Sequence, residues 1–368
     1  MKLALRELIR RPGRFITATL ILTLIAVLLM FLGGLLDGLT RSATGAVRAQ
    51  DVDAIVYSDA SQASFLRSRI EPATRTRIEQ LDGITETGGL GVVQLGARVP
   101  GNGPRDLADV AVWGYQLAPI GVPDPPAPGL AWADKLLAAD GVEIGDELLV
   151  GPARTPITVV GWVENTSYNG QSGLWTDVDT WRQVLAANRP DAVLADDVFQ
   201  ALVVRGEGAD VDVVNAIEAA DDDLLALTVP DAINQIPGVT EQQTTFNQIL
   251  GVTVVIALVV IALFFALLTV ERTALYGVMK AIGARSRTIF AGLVAQAVVV
   301  TLIAATIAGL AVIVLDLLIP PGSIPLYISV ARIVTSIVLL LFAAVVGCAF
   351  SLRRVLRVDP ASALGSSQ

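Results

Sequence analysis

Residues 247–283 read NQILGVTVVIALVVIALFFALLTVERTALYGVMKAIG and join two kinds of segment without a break. The first, Ile249 to Val270, is apolar and long enough to cross the ~30 Å hydrocarbon core of a bilayer as a helix. Glu271 and Arg272 end it abruptly, and a short amphipathic stretch follows, closing at Gly283. Charged side chains are costly in hydrocarbon. The second segment is therefore predicted to lie at the membrane surface.

Three further runs are apolar over a comparable length: Phe15–Leu36, Ile289–Ile319 and Ile333–Phe350. The first could be read as a signal peptide, but it is longer than a usual signal core and no small-x-small cleavage site follows it, so we favour an uncleaved anchor. The fold class predicted is a membrane protein with four transmembrane α-helices and a large extracytoplasmic α+β domain between helices 1 and 2. The predicted segments are a cytoplasmic amphipathic N-terminal helix (1–14), transmembrane helices (15–36, 248–270, 289–319, 333–350), the α+β domain with its stalk (37–247), a cytoplasmic coupling segment (271–288), an outer connector (320–332) and a cytoplasmic tail (351–368).

The charges are unevenly distributed along a chain whose net charge is −9. Lys and Arg outnumber acids in residues 1–14, 271–288 and 351–368, whereas Asp and Glu dominate residues 37–247. Basic residues close to span ends stay in the cytoplasm. Both termini and the coupling segment are therefore predicted inside, and the acidic region outside, in a bacterial plasma membrane. Nucleic-acid binding needs a basic face, so we do not expect it.

The chain lacks the residues on which common catalytic sites depend. It has no histidine, and its one cysteine, Cys348, lies in the fourth apolar run. No Walker A motif is present, so this chain is not expected to bind ATP phosphates itself. We expect neither a metal site nor an enzyme activity of its own.

Local patterns in the outer region indicate a mixture of strands and helices. Asp53–Tyr57 alternates like a strand, and Ser64–Leu81 has helical spacing. Asp177 is placed to cap a helix over Val178–Ala187. Ile236-Pro-Gly238 should break the chain before a polar helix that continues into the second span.

Several motifs resemble the MacB/FtsX-type (type VII) ABC transporter permeases, and the resemblance covers essentially the whole chain. The coupling segment with Tyr276-Gly-Val-Met-Lys-Ala-Ile-Gly-Ala284, the basic tail with Asp359-Pro360, and the order of one span, a large outer domain and three spans are all similar to that family. A finer similarity is to its HrtB/DevC-like branch, carried by Ile236-Pro-Gly238, Gln242, Thr245 and Gly277-Val-Met-Lys-Ala281.

The resemblance implies a homodimer of this permease working with two copies of a separate ABC ATPase, which would bind ATP-Mg; no cofactor is expected in this chain. The alternative for the coupling segment is an ordinary basic cytoplasmic loop. Glycines would permit close docking and apolar side chains would offer anchors. The predicted ATPase-coupling residues are Glu271, Arg272, Tyr276, Gly277, Met279, Lys280, Ile282 and Gly283.

The family implies a mechanical function, in which the outer domain moves and a hydrophobic molecule (haem-like, lipid or peptide) is exported or extracted from the membrane. A site between the first two spans near the outer surface is predicted. Its candidate residues are Asp37, Tyr57, Glu241, Gln242 and Phe246. The alternative is a regulator that transports nothing and moves an outer partner, such as a cell-wall hydrolase.

Overall fold

The computed structural model describes residues 12–103, 105–271, 278, 282, 286–320 and 322–355. They fall into two compact units. The helical unit contains the described residues up to Gly38, Thr244–Ile319 and those from Leu326 onward, and the α+β unit contains Leu39–Gln243 and Pro320–Pro325. The predicted N-terminal helix 1–14 and the end of the tail, 356–368, lie almost wholly outside the described residues.

The α-helices of the described residues are numbered in chain order. They are α1 (Pro12–Arg48), α2 (Pro72–Glu79), α3 (Val178–Asn188), α4 (Asp210–Ala220), α5 (Val229–Gln235), α6 (Val239–Glu271), α7 (Ser286–Leu318) and α8 (Val330–Val355). Short 3-10 helices cover Asp59–Ser61, Lys135–Asp140 and Pro190–Ala192.

Four of these helices are long and apolar enough to cross a membrane: α1, α6, α7 and α8. They share a hydrophobic core in the helical unit, to which α1 contributes Leu29 and Met30, α6 Ala257, and α8 Ala344. All four extend beyond the apolar runs, because polar residues continue the helix at one or both ends. The predicted class, four transmembrane helices with an α+β domain between the first and second, is confirmed.

The α+β unit is built on one nine-stranded sheet in the order β3-β7-β4-β6-β5-β2-β8-β1-β9. Because the long strand β2 also pairs with β3, six of the strands close on themselves and β8, β1 and β9 extend the sheet from β2. The strands are β1 (Ala54–Ser58), β2 (Ile84–Arg98), β3 (Leu107–Tyr115), β4 (Leu130–Asp134), β5 (Glu147–Val150), β6 (Thr155–Val163), β7 (Ser172–Thr176), β8 (Ala201–Gly206) and β9 (Leu224–Leu227).

The sheet buries both faces, since successive side chains of a strand point to opposite sides. In β1, Ala54 and Val56 enter one core, which α2, α3 and α4 cover. Ile55 and Tyr57 enter a second core on the other face. Residues from the end of α1 and the start of α6 complete this second core: Ala46, Val47 and Val239. These two helices, which carry apolar spans, therefore help to form the core of the α+β unit.

Most local predictions hold, and one is wrong. Asp177 caps α3, accepting from the backbone N–H groups of Asp179 and Thr180, and α5 ends before Pro237-Gly238 as predicted. The predicted helix Ser64–Leu81 is confined to α2. Pro72 disfavours helical geometry at the preceding residue, and Glu71 is accordingly extended, with ψ 153°.

Tyrosine ionisation tests the second core. Burial disfavours the phenolate, so it raises the pKa of Tyr57 and Tyr115 and raises the pKa of Tyr168 to about 12. The neutral tyrosines therefore stabilise the fold fully below the unfolded pKa of about 10, and this contribution is lost as pH rises through the folded values. We expect an ultraviolet titration to show these three of the five tyrosines still protonated at about pH 11 while the protein is folded. Ionisation of all five without unfolding would contradict this core.

Candidate coupling segment and substrate site

The coupling segment begins where α6 ends, at Glu271, whose side chain is exposed. Arg272, Tyr276, Gly277, Met279, Lys280 and Gly283 lie outside the described residues. Within the described part, the Ile282 N–H donates to the carbonyl of Val278 at 3.0 Å, the spacing of a helical turn. The Ile282 side chain is 82% exposed, as an apolar anchor awaiting a partner surface would be.

Asp37 forms an ion pair in the helical unit. Arg332, in the first turn of α8, donates from Nε to Asp37 Oδ2 at 2.9 Å and from Nη2 to Asp37 Oδ1. Both side chains are about three-quarters buried, with exposures of 25% for Asp37 and 22% for Arg332. Such forked pairing is the strongest geometry that Arg and a carboxylate adopt. The pair therefore fastens α1 to the start of α8.

Residues next to Asp37 and Arg332 allow the start of α8 to pack closely against α1. A Cβ atom added to Gly33 would lie 2.6 Å from Arg332 Cδ, so only glycine leaves room for the arginine stem. Ser329 Oγ caps α8 by accepting the Arg332 N–H at 3.0 Å, and the Tyr327 N–H donates to the Gly34 carbonyl at 3.0 Å. Backbone and side chain together hold the start of α8 against α1.

The other four substrate candidates have different surroundings. Tyr57 is enclosed in the core of the α+β unit, 2% exposed and edge-on to Phe65 at 5.2 Å between ring centroids; a ligand could reach it only by opening that core. Glu241 and Gln242 lie in the first turns of α6, Glu241 exposed and Gln242 partly so. Phe246 packs, partly buried, against the core of the helical unit. The candidates are thus divided between the two units.

Arg332 is the residue that sequence reasoning missed. It stands at the start of an otherwise uncharged apolar run, as Asp37 stands at the end of another. Ionisable residues at such places almost always find partners. A search for lone charges of opposite sign at span ends would have suggested the pair, although 295 residues separate the two.

Comparison with known proteins agrees with this architecture. The model of the FtsX-like permease C-terminal domain matches residues 247–360. A Staphylococcus epidermidis protein provisionally named hemin transport system permease protein HrtB is 22% identical, over the full length of both chains. An uncharacterized ABC transporter permease of Mycobacterium tuberculosis is 27% identical over 98% of each chain. Among solved structures, the periplasmic region of MacB from Actinobacillus actinomycetemcomitans is similar over 50% of this chain and 92% of its own, at 9% identity and a TM-score of 0.35.

The four apolar helices, the FtsX-like match and the full-length relatives define the class. These findings support a MacB/FtsX-type ABC transporter permease, a class of membrane protein that works with an ATPase. The family predicted from the coupling segment and the domain order is confirmed.

The Asp37–Arg332 pair can be tested by a double-mutant cycle. Removing one partner leaves the other charge partly buried, so Asp37→Asn and Arg332→Gln should each lower the free energy of unfolding by roughly 1–3 kcal/mol, less than for a fully buried pair. The double variant should lose clearly less than the sum, as measured by unfolding of the reconstituted protein.

The matched control is Asp316→Asn, which removes an exposed carboxylate of α7 and should change the stability little. Strict additivity of the two substitutions would show that the pair contributes no interaction energy.

Proposed function

We propose that this permease couples ATP hydrolysis in its ATPase partner to movement of the α+β unit, and so exports a hydrophobic molecule from the membrane. The observation that carries the proposal is that α1 and α6 each contribute to two cores. Helix α1 contributes Met30 to the core of the helical unit and Val47 to the second core of the α+β unit. Helix α6 contributes Ala257 and Val239 in the same way.

The lengths of these helices support a mechanical role. Helix α1 has 37 residues and α6 has 33, which correspond to about 55 and 50 Å of rise. The hydrocarbon core needs only ~30 Å. The surplus turns continue the apolar spans as helix, without a break in hydrogen bonding at the membrane boundary. A displacement at one end of such a helix is carried to the other.

The assembly follows from the distribution of charge and from the class. The basic segments support a topology with both termini and the coupling segment in the cytoplasm and the acidic α+β unit outside. Two copies of the permease would pair with two ATPase subunits, which supply ATP-Mg. This chain needs no cofactor of its own for that role.

The coupling segment is the proposed contact with the ATPase. Gly277 and Gly283 bracket it in the sequence, and Ile282 between them is exposed. Glycines allow the close backbone approach that a docked helix end requires, while apolar side chains fill the pockets of the partner. This arrangement suits a docking site better than a loop that only obeys the charge rule.

Gly277→Trp and Gly283→Trp test the docking. A tryptophan would hold the two surfaces apart, so permease-stimulated ATPase turnover should fall about tenfold, in the usual range of coupling energies. The measurement is ATPase activity of the reconstituted complex, with thermal unfolding to show that the permease remains folded.

Gly251→Trp, within helix α6, is the control: glycine there is exposed, and an added Cβ meets nothing within 4 Å. Turnover in the coupling variants that equals that of the wild type would contradict the docking.

For the substrate we propose hemin, bound beside α6. The support is full-length similarity to a protein provisionally named as a hemin permease, and the arrangement of three residues on α6. Gln242 and Phe246 are four residues apart and so share a helix face, and Glu241 is adjacent and exposed. The ring of Phe246 could stack on a porphyrin. Without histidine, Glu241 is the plausible iron ligand of this set.

Hemin titration of the purified permease tests this site. A shift of the Soret band is expected in the wild type, with affinity lowered roughly tenfold by Phe246→Ala through lost packing and a changed spectrum in Glu241→Gln. Tyr57→Phe should leave the spectrum unchanged, because Tyr57 is enclosed.

The control is Glu207→Gln, an exposed carboxylate elsewhere in the α+β unit. Absence of any Soret shift would overturn hemin while leaving lipid or peptide export. Isolation of a tightly bound outer protein together with no ligand binding would favour the regulator of an outer partner.

A further inference from the structure

The α+β unit contains a buried carboxylate that accepts hydrogen bonds on both oxygens. Asp134, at the end of β4, is 1% exposed. Its Oδ1 accepts the N–H of Leu136 at 3.1 Å, at the start of the 3-10 helix Lys135–Asp140. Its Oδ2 accepts the Thr166 N–H at 2.8 Å and hydroxyl at 2.9 Å, and the Ser167 hydroxyl at 3.4 Å. A buried charge is tolerated only when it is satisfied in this way, so both partners are held firmly.

The loop held by Oδ2 is attached to the end of α1. Three backbone hydrogen bonds join them: Ala46 N–H to the Ser167 carbonyl (3.0 Å), Asn169 N–H to the Ala43 carbonyl (3.0 Å) and Gly170 N–H to the Ser42 carbonyl (3.1 Å). The approach is so close that a Cβ on Gly45 would lie 2.5 Å from the Asn165 carbonyl oxygen. The last turns of α1 are therefore fixed to this loop by backbone groups, not only by apolar packing.

The 3-10 helix held by Oδ1 is approached by a different part of the chain. The connector between α7 and α8, Pro320–Pro325, belongs to the α+β unit. Its Gly322, at φ 83°, comes so near that an added Cβ would lie 2.8 Å from Ala139 Cβ. The connector therefore contacts the rest of the α+β unit at this 3-10 helix.

We propose that Asp134 is a positioning residue that ties the end of α1 to the α7–α8 connector, so that a displacement of one reaches the other. Its two oxygens bond the α1-bound loop and the connector-bound 3-10 helix from a buried position, and an exposed Lys135–Glu164 ion pair at 3.0 Å joins the same two segments at the surface. Its use in transport rests on the proposed function, whereas the linkage itself does not.

Hydrogen exchange of the full-length permease in nanodiscs, without ATPase or substrate, tests the linkage. Asp134→Asn turns one oxygen into a donor that faces other donors. The amides of Ala46, Asn169 and Gly170 should then exchange at least about tenfold faster, as expected for a lost charged hydrogen bond. If Asp134→Asn folds poorly, Thr166→Val serves as the second variant. It removes one hydroxyl and should have a smaller effect at the same amides.

Asp177→Asn is the matched control, because Asp177 also caps a helix through backbone N–H groups but, among the described residues, makes no hydrogen bond to α1. It should leave the three amides unchanged. Equal acceleration in both variants would reduce Asp134 to a general stabiliser of the domain and overturn the proposal.

A perturbation at the end of α1, with exchange measured at the 3-10 helix and the connector, distinguishes the linkage from a purely local role of Asp134. Gly45→Ala pushes on Asn165 and should accelerate exchange at Leu136 and at Ser323 in the connector, whereas Gly13→Ala, with open space around it on the same helix, should not. Combined with Asp134→Asn, the Gly45→Ala effect on these two amides should add little. A response confined to the loop would refute the linkage, and neither result depends on transport.

Discussion

A backbone that crosses hydrocarbon must satisfy its own hydrogen bonds, and this requirement keeps α1 and α6 helical wherever they are in the membrane. In this protein the same two helices run on beyond their apolar spans, and residues from their far ends become part of a sheet core. The α+β unit therefore depends on membrane helices for part of its hydrophobic interior. That dependence supports the mechanical coupling that we propose, because a displacement of either helix would disturb the core of the unit.

Two carboxylates reinforce this arrangement in different ways. Asp37 meets a positive charge, Arg332, and fastens two helices of the helical unit. Asp134 meets hydrogen-bond donors, and fastens a loop and a 3-10 helix of the α+β unit. Each is removed from water to a large extent, so the cost of losing its partners is high. In both arrangements the carboxylate oxygens already accept hydrogen bonds within the protein. The exposed start of α6 is therefore the better candidate for a substrate contact.

How much of this could be predicted from the sequence depends on the range of the interaction. Apolar spans and the Asp177 cap are local, and both were predicted correctly. The helix predicted over Ser64–Leu81 begins only at Pro72, because proline disfavours helical geometry at the preceding residue and helical spacing alone does not express that constraint. Strand β2 was missed since its glycines weaken the strand pattern. Its Gly89 and Gly91 leave room for the rings of Phe199 and Trp181, which no local pattern reveals.

The candidate site was less predictable for the same reason. Tyr57 is a predicted candidate for the substrate site, but its burial follows from the pairing of β1 with β8 and β9, and those strands lie far along the chain. The Asp37–Arg332 pair joins opposite ends of the sequence. Coupling residues such as Gly277 and Lys280 were found from a motif and remain predictions. A local motif can name such residues, but only pairing across the chain decides what they contact.

The attachments of α1 and α6 to the α+β unit differ in kind. The end of α1 is held by backbone hydrogen bonds to a loop that Asp134 supports. The start of α6 follows Pro237-Gly238, with Gly238 at φ 86° and open space around it, and Val239 enters the core by apolar packing. Hydrogen bonds are directional, whereas apolar packing is not. The end of α1 is therefore constrained in both position and orientation, while α6 leaves the sheet next to a glycine that can absorb a change of direction. The movement that we propose for the α+β unit needs one attachment that holds its orientation and another that yields, and the end of α1 and the start of α6 have these two properties.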